Sequence, residues 1–121
     1  MKHLVREYRL SHGKHGVIVH VFKSYKEFIG AMKKFGGVGS GLQARYMHLA
    51  NMPRTGGQGV IAIPTRYLSV ETLAHEFMHL CVNMAKKNKE ERAVIVSSHL
   101  LIAAVNAIKK DGFKLPLQER A

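Results

Sequence analysis

The sequence predicts an α+β domain in which a short three-stranded sheet packs with about three helices. Runs of β-branched residues separated by turn residues in the first half of the chain predict the strands. Apolar residues at helical spacing in the second half predict two long helices. With 121 residues and 46% hydrophobic content, the chain is long enough for one core. We therefore assign residues 1–121 to a single domain, with a C-terminal tail from about residue 113.

The first half of the chain is predicted to form three strands and one helix. Residues 17–22 form a β-branched run that is typical of a strand. Ser24 and Glu27 have the spacing of a capping box, which predicts a helix between this strand and the glycine-rich stretch that follows. Residues 42–49 and 59–63 predict two further strands, and the turn residues between them predict a hairpin.

The last predicted strand has a further expected role. Pro64 follows it, and proline suits the end of a strand or the edge of a sheet. We therefore expect this strand to present a free edge with which an extended chain could pair. Gly56, Gly57 and Gly59 would let the backbone of that chain approach closely.

Two helices are predicted for the second half of the chain. Leu73, Phe77 and Met84 recur at helical spacing within residues 69–86, and Ser69 suits the N-cap position. A final helix is predicted over residues 89–110, and a glycine at position 112 is a natural stop.

The composition is strongly basic. The chain has 19 Lys and Arg against 8 Asp and Glu, a net charge of +11. Such a charge allows nucleic acid as a partner. However, the positive residues are spread along the chain and no nucleic-acid-binding motif is present, so nucleic acid is possible but not favoured.

Three further features bear on location. No run of eighteen apolar residues is present, so neither a membrane span nor a membrane partner is expected. The charged N-terminus is unlike a signal peptide, and the single cysteine, Cys81, excludes an internal disulfide. These features predict a cytoplasmic protein, in which Cys81 is a small buried apolar residue.

The most informative stretch of the chain reads H-E-x-x-H and consists of His75, Glu76, Phe77, Met78 and His79. Residues four apart lie on one face of a helix, so both imidazoles can reach one zinc ion. The glutamate between them is placed to act on a water at the metal. Because the chain has 8 histidines, a surface helix with incidental histidines is the alternative. The apolar periodicity around the motif favours a real site, with one Zn²⁺ per chain.

A catalytic zinc usually has three protein ligands, so one more is expected. On the final helix, Glu90 falls near the middle of the predicted apolar face and Glu91 on its flank. A carboxylate facing inward needs a partner, so we predict Glu90 as the third ligand, with Glu91 in reserve. The alternative is that both residues favour a helix N-terminus through its dipole. The predicted apolar face contains Ala93, Val94, Ser97, Leu101, Ala104 and Ile108.

Two segments resemble zincin-like metallopeptidases of the gluzincin kind. They are residues 67–79, which end in the H-E-x-x-H motif, and an E-x-x-A pattern at Glu90 and Ala93. More narrowly, the chain is similar to small single-domain metallopeptidases encoded by phages and prophages. The resemblance covers about residues 58–108. It implies a minimal zincin-like fold, peptidase activity, and a zinc ion held by His75, His79 and Glu90.

The expected activity is hydrolysis of a peptide or protein substrate. Zinc would activate a water, and Glu76 would act as general base and pass the proton to the leaving amine. Tyr67, Arg66 and His48 are candidates, by residue type alone, for stabilising the oxyanion. The alternative is a basic module that binds nucleic acid or a host protein and contains a structural or inactive metal site.

Overall fold

The computed structural model of the protein describes residues 5–34, 42–48 and 57–118. These residues form an α+β fold with a four-stranded mixed sheet and three α-helices. The strands are β1 (Val5–His12), β2 (His15–Phe22), β3 (Arg45–His48) and β4 (Gly57–Pro64), and the helices are α1 (Tyr25–Lys33), α2 (Val70–Ala85) and α3 (Glu90–Lys110). A single 3₁₀ turn, Thr65–Tyr67, joins β4 to α2.

The sheet has the strand order β1-β2-β4-β3. β2 and β4 are parallel, whereas β1 and β3 run antiparallel to their neighbours. The predicted pairing of β3 with β4 is confirmed, and the segment that connects them lies outside the described residues. The prediction that β4 forms a free edge is wrong, because β4 pairs with β2 on one side and β3 on the other. β3 occupies the edge instead.

β1 is the additional strand, which makes the sheet four-stranded rather than three-stranded. In β1, every second side chain faces α3. This alternation is hard to recognise in the sequence because Arg6, Glu7 and Arg9 are charged. Tyr8 and Leu10 pack against the core on that side, while Arg6 and Tyr8 both donate hydrogen bonds to Asp111 at the end of α3.

The sheet separates two hydrophobic cores, because β2 and β4 are buried on both faces. One face carries Val17, Val19, Val21, Ile61 and Ile63, which pack against α2 and α3. The other face carries Ile18, Phe22, Val60 and Ala62, which pack against Phe28 and Met32 of α1. The molecule therefore has α1 on one side of the sheet and α2 with α3 on the other.

The predicted bounds of α2 and α3 are close to the observed ones. Ser69 caps α2 as predicted, and Gly112, at φ 93°, follows α3 with a backbone that favours glycine. α3 is also long and apolar enough to cross a membrane by length and composition alone. Its Leu100, Ala104 and Ile108 are fully buried against the sheet, and a core helix can meet the same criterion.

Candidate metal centre

Every backbone N–H in the first turn of α2 donates a hydrogen bond. Ser69 Oγ accepts a hydrogen bond from the Thr72 N–H at 3.0 Å, and the carbonyl of Ser69 accepts from Leu73. The N–H groups of Val70 and Glu71 donate to the carbonyls of Pro116 and Leu117 in the C-terminal tail. Since the first four N–H groups of a helix have no partner within it, these contacts hold the helix that carries the histidines.

His75 and His79 lie one turn apart on the exposed side of α2. Their Nε2 atoms are 3.3 Å apart, and their ring planes are inclined at 81°. The two rings thus bring the same nitrogen, Nε2, close together. The helical spacing of four residues is the direct cause of this convergence.

Glu76 is buried, with 6% of its surface exposed, and lies beside the histidines. One ligand atom from each of His75, Glu76 and His79 falls within 4.8 Å of the others. Burial raises the pKa of the Glu76 carboxyl, while His79, His75 and a hydrogen bond from the backbone N–H of Tyr46 act in the opposite direction. The carboxylate is therefore held between the helix and strand β3.

The donor set fits zinc. Two nitrogens bound to one tetrahedral zinc at the usual bond length lie about 3.3 Å apart, since Zn–N is about 2.0–2.1 Å. The observed Nε2–Nε2 distance of 3.3 Å agrees with this value. Imidazole is a ligand that zinc prefers, and both histidines are exposed.

A cleft of about 460 Å³ opens beside His75 and Glu76. Gln43 and Ala44, which lead into β3, form one wall, and Glu71 and Thr72 of α2 form another beside His75 and Glu76. Sequence reasoning did not find Gln43, Ala44 or Tyr46. No signal in the sequence could have found them, because their position depends on the pairing of β3 with β4.

The structure does not bring Glu90 or Glu91 into this group. Both are exposed at the start of α3, and the group of potential ligands among the described residues contains neither. The prediction that Glu90 faces inward is wrong, because the buried face of α3 is rotated by roughly 40° from the predicted one at 100° per residue. Val94, predicted to be inside, is 48% exposed. The observed buried face contains Ala93, Val96, Ser97, Leu100, Ala104 and Ile108.

The three residues considered for oxyanion stabilisation lie elsewhere or cannot be placed. Arg66 stacks on the ring of Tyr25 at 4.5 Å, and Tyr67 packs edge-on against the same ring. Neither lines the cleft. The side chain of His48 lies outside the described part of the structure. Cys81, by contrast, is partly buried and packs against the core, close to its predicted role.

Comparisons with protein-family models, with curated proteins and with solved structures found no match.

Proposed function

We propose that the protein is a zinc-dependent peptidase in which His75 and His79 bind the metal and Glu76 is the general base. The observation that carries the proposal is the 3.3 Å separation of the two Nε2 atoms, with a buried carboxylate beside them on the same helix. When bound, the zinc would supply a Lewis acid that activates a water for attack on a carbonyl. This arrangement is consistent with a minimal zincin-like domain.

Glu76 is suited to hold and move a proton. Helix α2 and the N–H of Tyr46 fix its carboxylate, and it lies within 4.8 Å of the donor atoms of both histidines. A base at this distance can take a proton from a water in the cleft and return it to the leaving amine. Because Glu76 is buried, few other orientations are open to it.

The substrate would be an extended peptide lying along β3. In the described sheet β3 lies next to β4 at one end of the strand order, and the N–H of Tyr46 on β3 donates to Glu76, so a peptide beside β3 would lie close to the proposed general base. The cleft between His75 and the residues that lead into β3 has about 460 Å³, which suits a few residues of a peptide. We therefore propose β3, and not β4 as predicted from the sequence, as the strand beside which the peptide lies.

Metal analysis and Glu76→Gln test this proposal. The purified protein should contain about one zinc per chain by mass spectrometry, and His75→Ala and His79→Ala should lose it, because each removes a ligand. Glu76→Gln should retain zinc but cleave a quenched fluorescent peptide library at least about 100-fold more slowly, as expected when a general base is lost.

Glu71→Gln is the matched control. Glu71 lines the same cleft one turn before His75 and is exposed, so Glu71→Gln removes a nearby carboxylate and should leave the zinc content unchanged. A wild-type protein that binds no added zinc, or a Glu76→Gln variant with full cleavage activity, would contradict the proposal.

A second candidate function follows from the net charge of +11. The chain could be a basic module that binds nucleic acid or a protein and in which the metal is structural or inactive. Binding through charge alone weakens steeply as salt is raised. Tight DNA binding with such a salt dependence, unchanged in Glu76→Gln and accompanied by no peptide cleavage, would favour this function over the first.

A further inference from the structure

The cleft beside His75 and Glu76 differs in charge from the chain as a whole. The chain contains 19 Lys and Arg against 8 Asp and Glu. Among the described residues, however, those that line the cleft include no Lys or Arg, and they include the two carboxylates of Glu71 and Glu76. The proposed mechanism uses Glu76 as a base. It gives no role to Glu71.

The carboxylate of Glu71 is not needed to cap the helix on which it lies. Glu71 belongs to the first turn of α2, where the helix dipole favours a negative charge. The four N–H groups of this turn already donate to the hydroxyl and carbonyl of Ser69 and to two carbonyls of the C-terminal tail. The Glu71 side chain is exposed, and the ion pairs between described residues involve Glu7 and Asp111 instead. The carboxylate is therefore available to a charged group of a ligand.

Arg45 follows the cleft wall directly in the sequence but belongs to the other face of the sheet. Gln43 and Ala44 form that wall. Arg45 pairs with Ala62 of β4, which packs into the core on the α1 side of the sheet. Because paired residues of neighbouring strands belong to the same face, the position of Arg45 is on the face away from α2 and the cleft.

Glu71 lies within reach of a peptide held at the histidines. It precedes His75 by four residues, so the two side chains lie on one face of α2, about 6 Å apart along the helix axis. An extended peptide advances about 3.3 Å per residue. The Glu71 carboxylate is therefore level with a substrate residue about two positions to one side of the bond that would be cleaved.

The net charge of the chain and the charge of the cleft favour opposite kinds of peptide. A molecule with a charge of +11 attracts acidic peptides over long distances. At physiological ionic strength, charges separated by more than about 8 Å are largely screened, whereas a side chain in the cleft contacts Glu71 within that distance. A preference for basic peptides would therefore come from the cleft and not from the surface as a whole.

We propose that the carboxylate of Glu71 selects peptide substrates with a lysine or arginine about two residues from the cleaved bond. This inference rests on the proposed peptidase function and gives it a substrate class, basic peptides. The ammonium or guanidinium group would lie in the cleft and form an ion pair with Glu71, while Glu76 acts on the water. Because Glu71 is exposed, solvent screens this pair and its effect on the rate is modest.

Matched peptides that differ in one residue test this inference. Lys, Gln or Glu is placed in turn at each position on both sides of the cleaved bond. With the variable residue about two positions to one side, the wild type should cleave the Lys peptide with a kcat/KM about 3- to 5-fold above that of the Gln peptide. This advantage should decrease as salt is raised. Glu71→Gln should abolish it, and Glu71→Lys should favour the Glu peptide instead.

Glu27→Gln is the matched control. Glu27 is exposed in the first turn of α1, and α1 packs on the other side of the sheet. The variant therefore has the same net charge as Glu71→Gln but an unaltered cleft, and it should keep the preference for Lys. Circular dichroism and zinc content, measured for each variant, identify any loss of the fold or of the metal.

Binding to Glu76→Gln separates selection from cleavage. Fluorescently labelled Lys peptides should bind this variant more tightly than the matched Glu peptides, and adding Glu71→Gln should remove the difference. Equal kcat/KM for the Lys, Gln and Glu peptides in the wild type, or a Lys preference that persists in Glu71→Gln, would overturn the inference and leave the proposed peptidase function intact. A wild type that binds no zinc and cleaves none of the peptides would overturn both.

Discussion

At the scale of single residues, Gly59 lies where the sheet leaves no space for a side chain. A Cβ at this position would collide with the backbone carbonyl of Met47 on β3 and touch the ring of Tyr46. The backbone carbonyl belongs to a paired strand and cannot turn aside as a flexible side chain can. Glycine is therefore required here for β3 to lie close to β4, and not for the approach of a substrate as the sequence suggested.

Gly59→Ala should lower the free energy of unfolding by about 1–3 kcal/mol, the usual effect of overpacking. Urea denaturation measures the change. Because β3 would be displaced from β4, the hydrogen bond from the Tyr46 N–H to Glu76 should weaken, and the proposed peptide cleavage should slow as well. A Gly59→Ala variant as stable as the wild type would show that β3 can shift away from β4 without lowering the free energy of unfolding.

Gly30→Ala is the control for this substitution. Gly30 lies on the exposed side of α1, and a Cβ there would meet nothing within 4 Å. Because alanine has the higher helix propensity, this variant should gain about 0.4–1 kcal/mol. The opposite signs of the two glycine substitutions distinguish a steric effect from a general response to replacing glycine.

Some residues of the site are close together in the sequence, whereas others come together only in the folded chain. His75, Glu76 and His79 could be predicted because helical geometry alone brings them together. Glu90 could not be placed reliably, because a rotation of roughly 40° about α3 moves a residue from the middle of a face to its flank. Tyr46 carried no signal at all, since its contact with Glu76 depends on how two distant strands pair.

At the scale of elements, the start of α2 determines where the histidines lie. Ser69 is fully buried, and its hydroxyl accepts from the N–H of Thr72 and donates to the Thr72 hydroxyl, both at 3.0 Å. Ser69→Ala should therefore destabilise the protein by about 1–2 kcal/mol, towards the upper end for a lost N-cap. Thermal unfolding followed by circular dichroism measures the loss.

Ser24→Ala provides the comparison within the same chain. Ser24 caps α1, but its contact with the N–H of Glu27 is longer, at 3.4 Å, and more exposed. Its removal should have a smaller effect, about 0.5 kcal/mol. Equal losses in the two variants would indicate that burial and hydrogen-bond length at the cap do not determine its contribution.

The elements themselves were predictable to different degrees. α2 and α3 were anticipated with nearly correct bounds, since their apolar periodicity extends over many turns. β1 was missed because its outward residues are charged and only Tyr8 and Leu10 mark the inward face. The edge position of β3 was missed because the order of strands in a sheet is a tertiary property that no local pattern encodes.

At the scale of the whole molecule, the sheet contacts helix α3 next to the turn between β1 and β2. The ring of His12 stacks on that of His99 with centroids 4.3 Å apart. His15 is 4% exposed. Desolvation lowers the pKa of His15 from 6.5, and the positive charges of Lys14 and Arg92 and neighbouring His12 lower it further. Docking of the sheet on α3 therefore favours a neutral imidazole at His15.

This lowered pKa predicts a loss of stability on mild acidification. The folded pKa of His15 lies below the unfolded value of 6.5, so the unfolded chain binds the proton first as the pH falls. The contribution of His15 is complete above about pH 6.5 and decreases as the pH falls towards its folded pKa, by at most about 1.4 kcal/mol per pH unit for one proton. A separate loss should follow at lower pH, because the pKa values of Glu7 and Asp111 are also lowered.

His15→Gln isolates the first of these two losses. The variant has no imidazole at this position, so its unfolding free energy in urea should vary less between pH 7 and pH 5 than that of the wild type. Both proteins should be measured without added metal, so that metal binding does not contribute to the difference. Below about pH 4, the two curves should run parallel, because Glu7 and Asp111 are unchanged. Identical slopes from pH 7 to pH 5 would show that His15 is protonated equally in the folded and unfolded states.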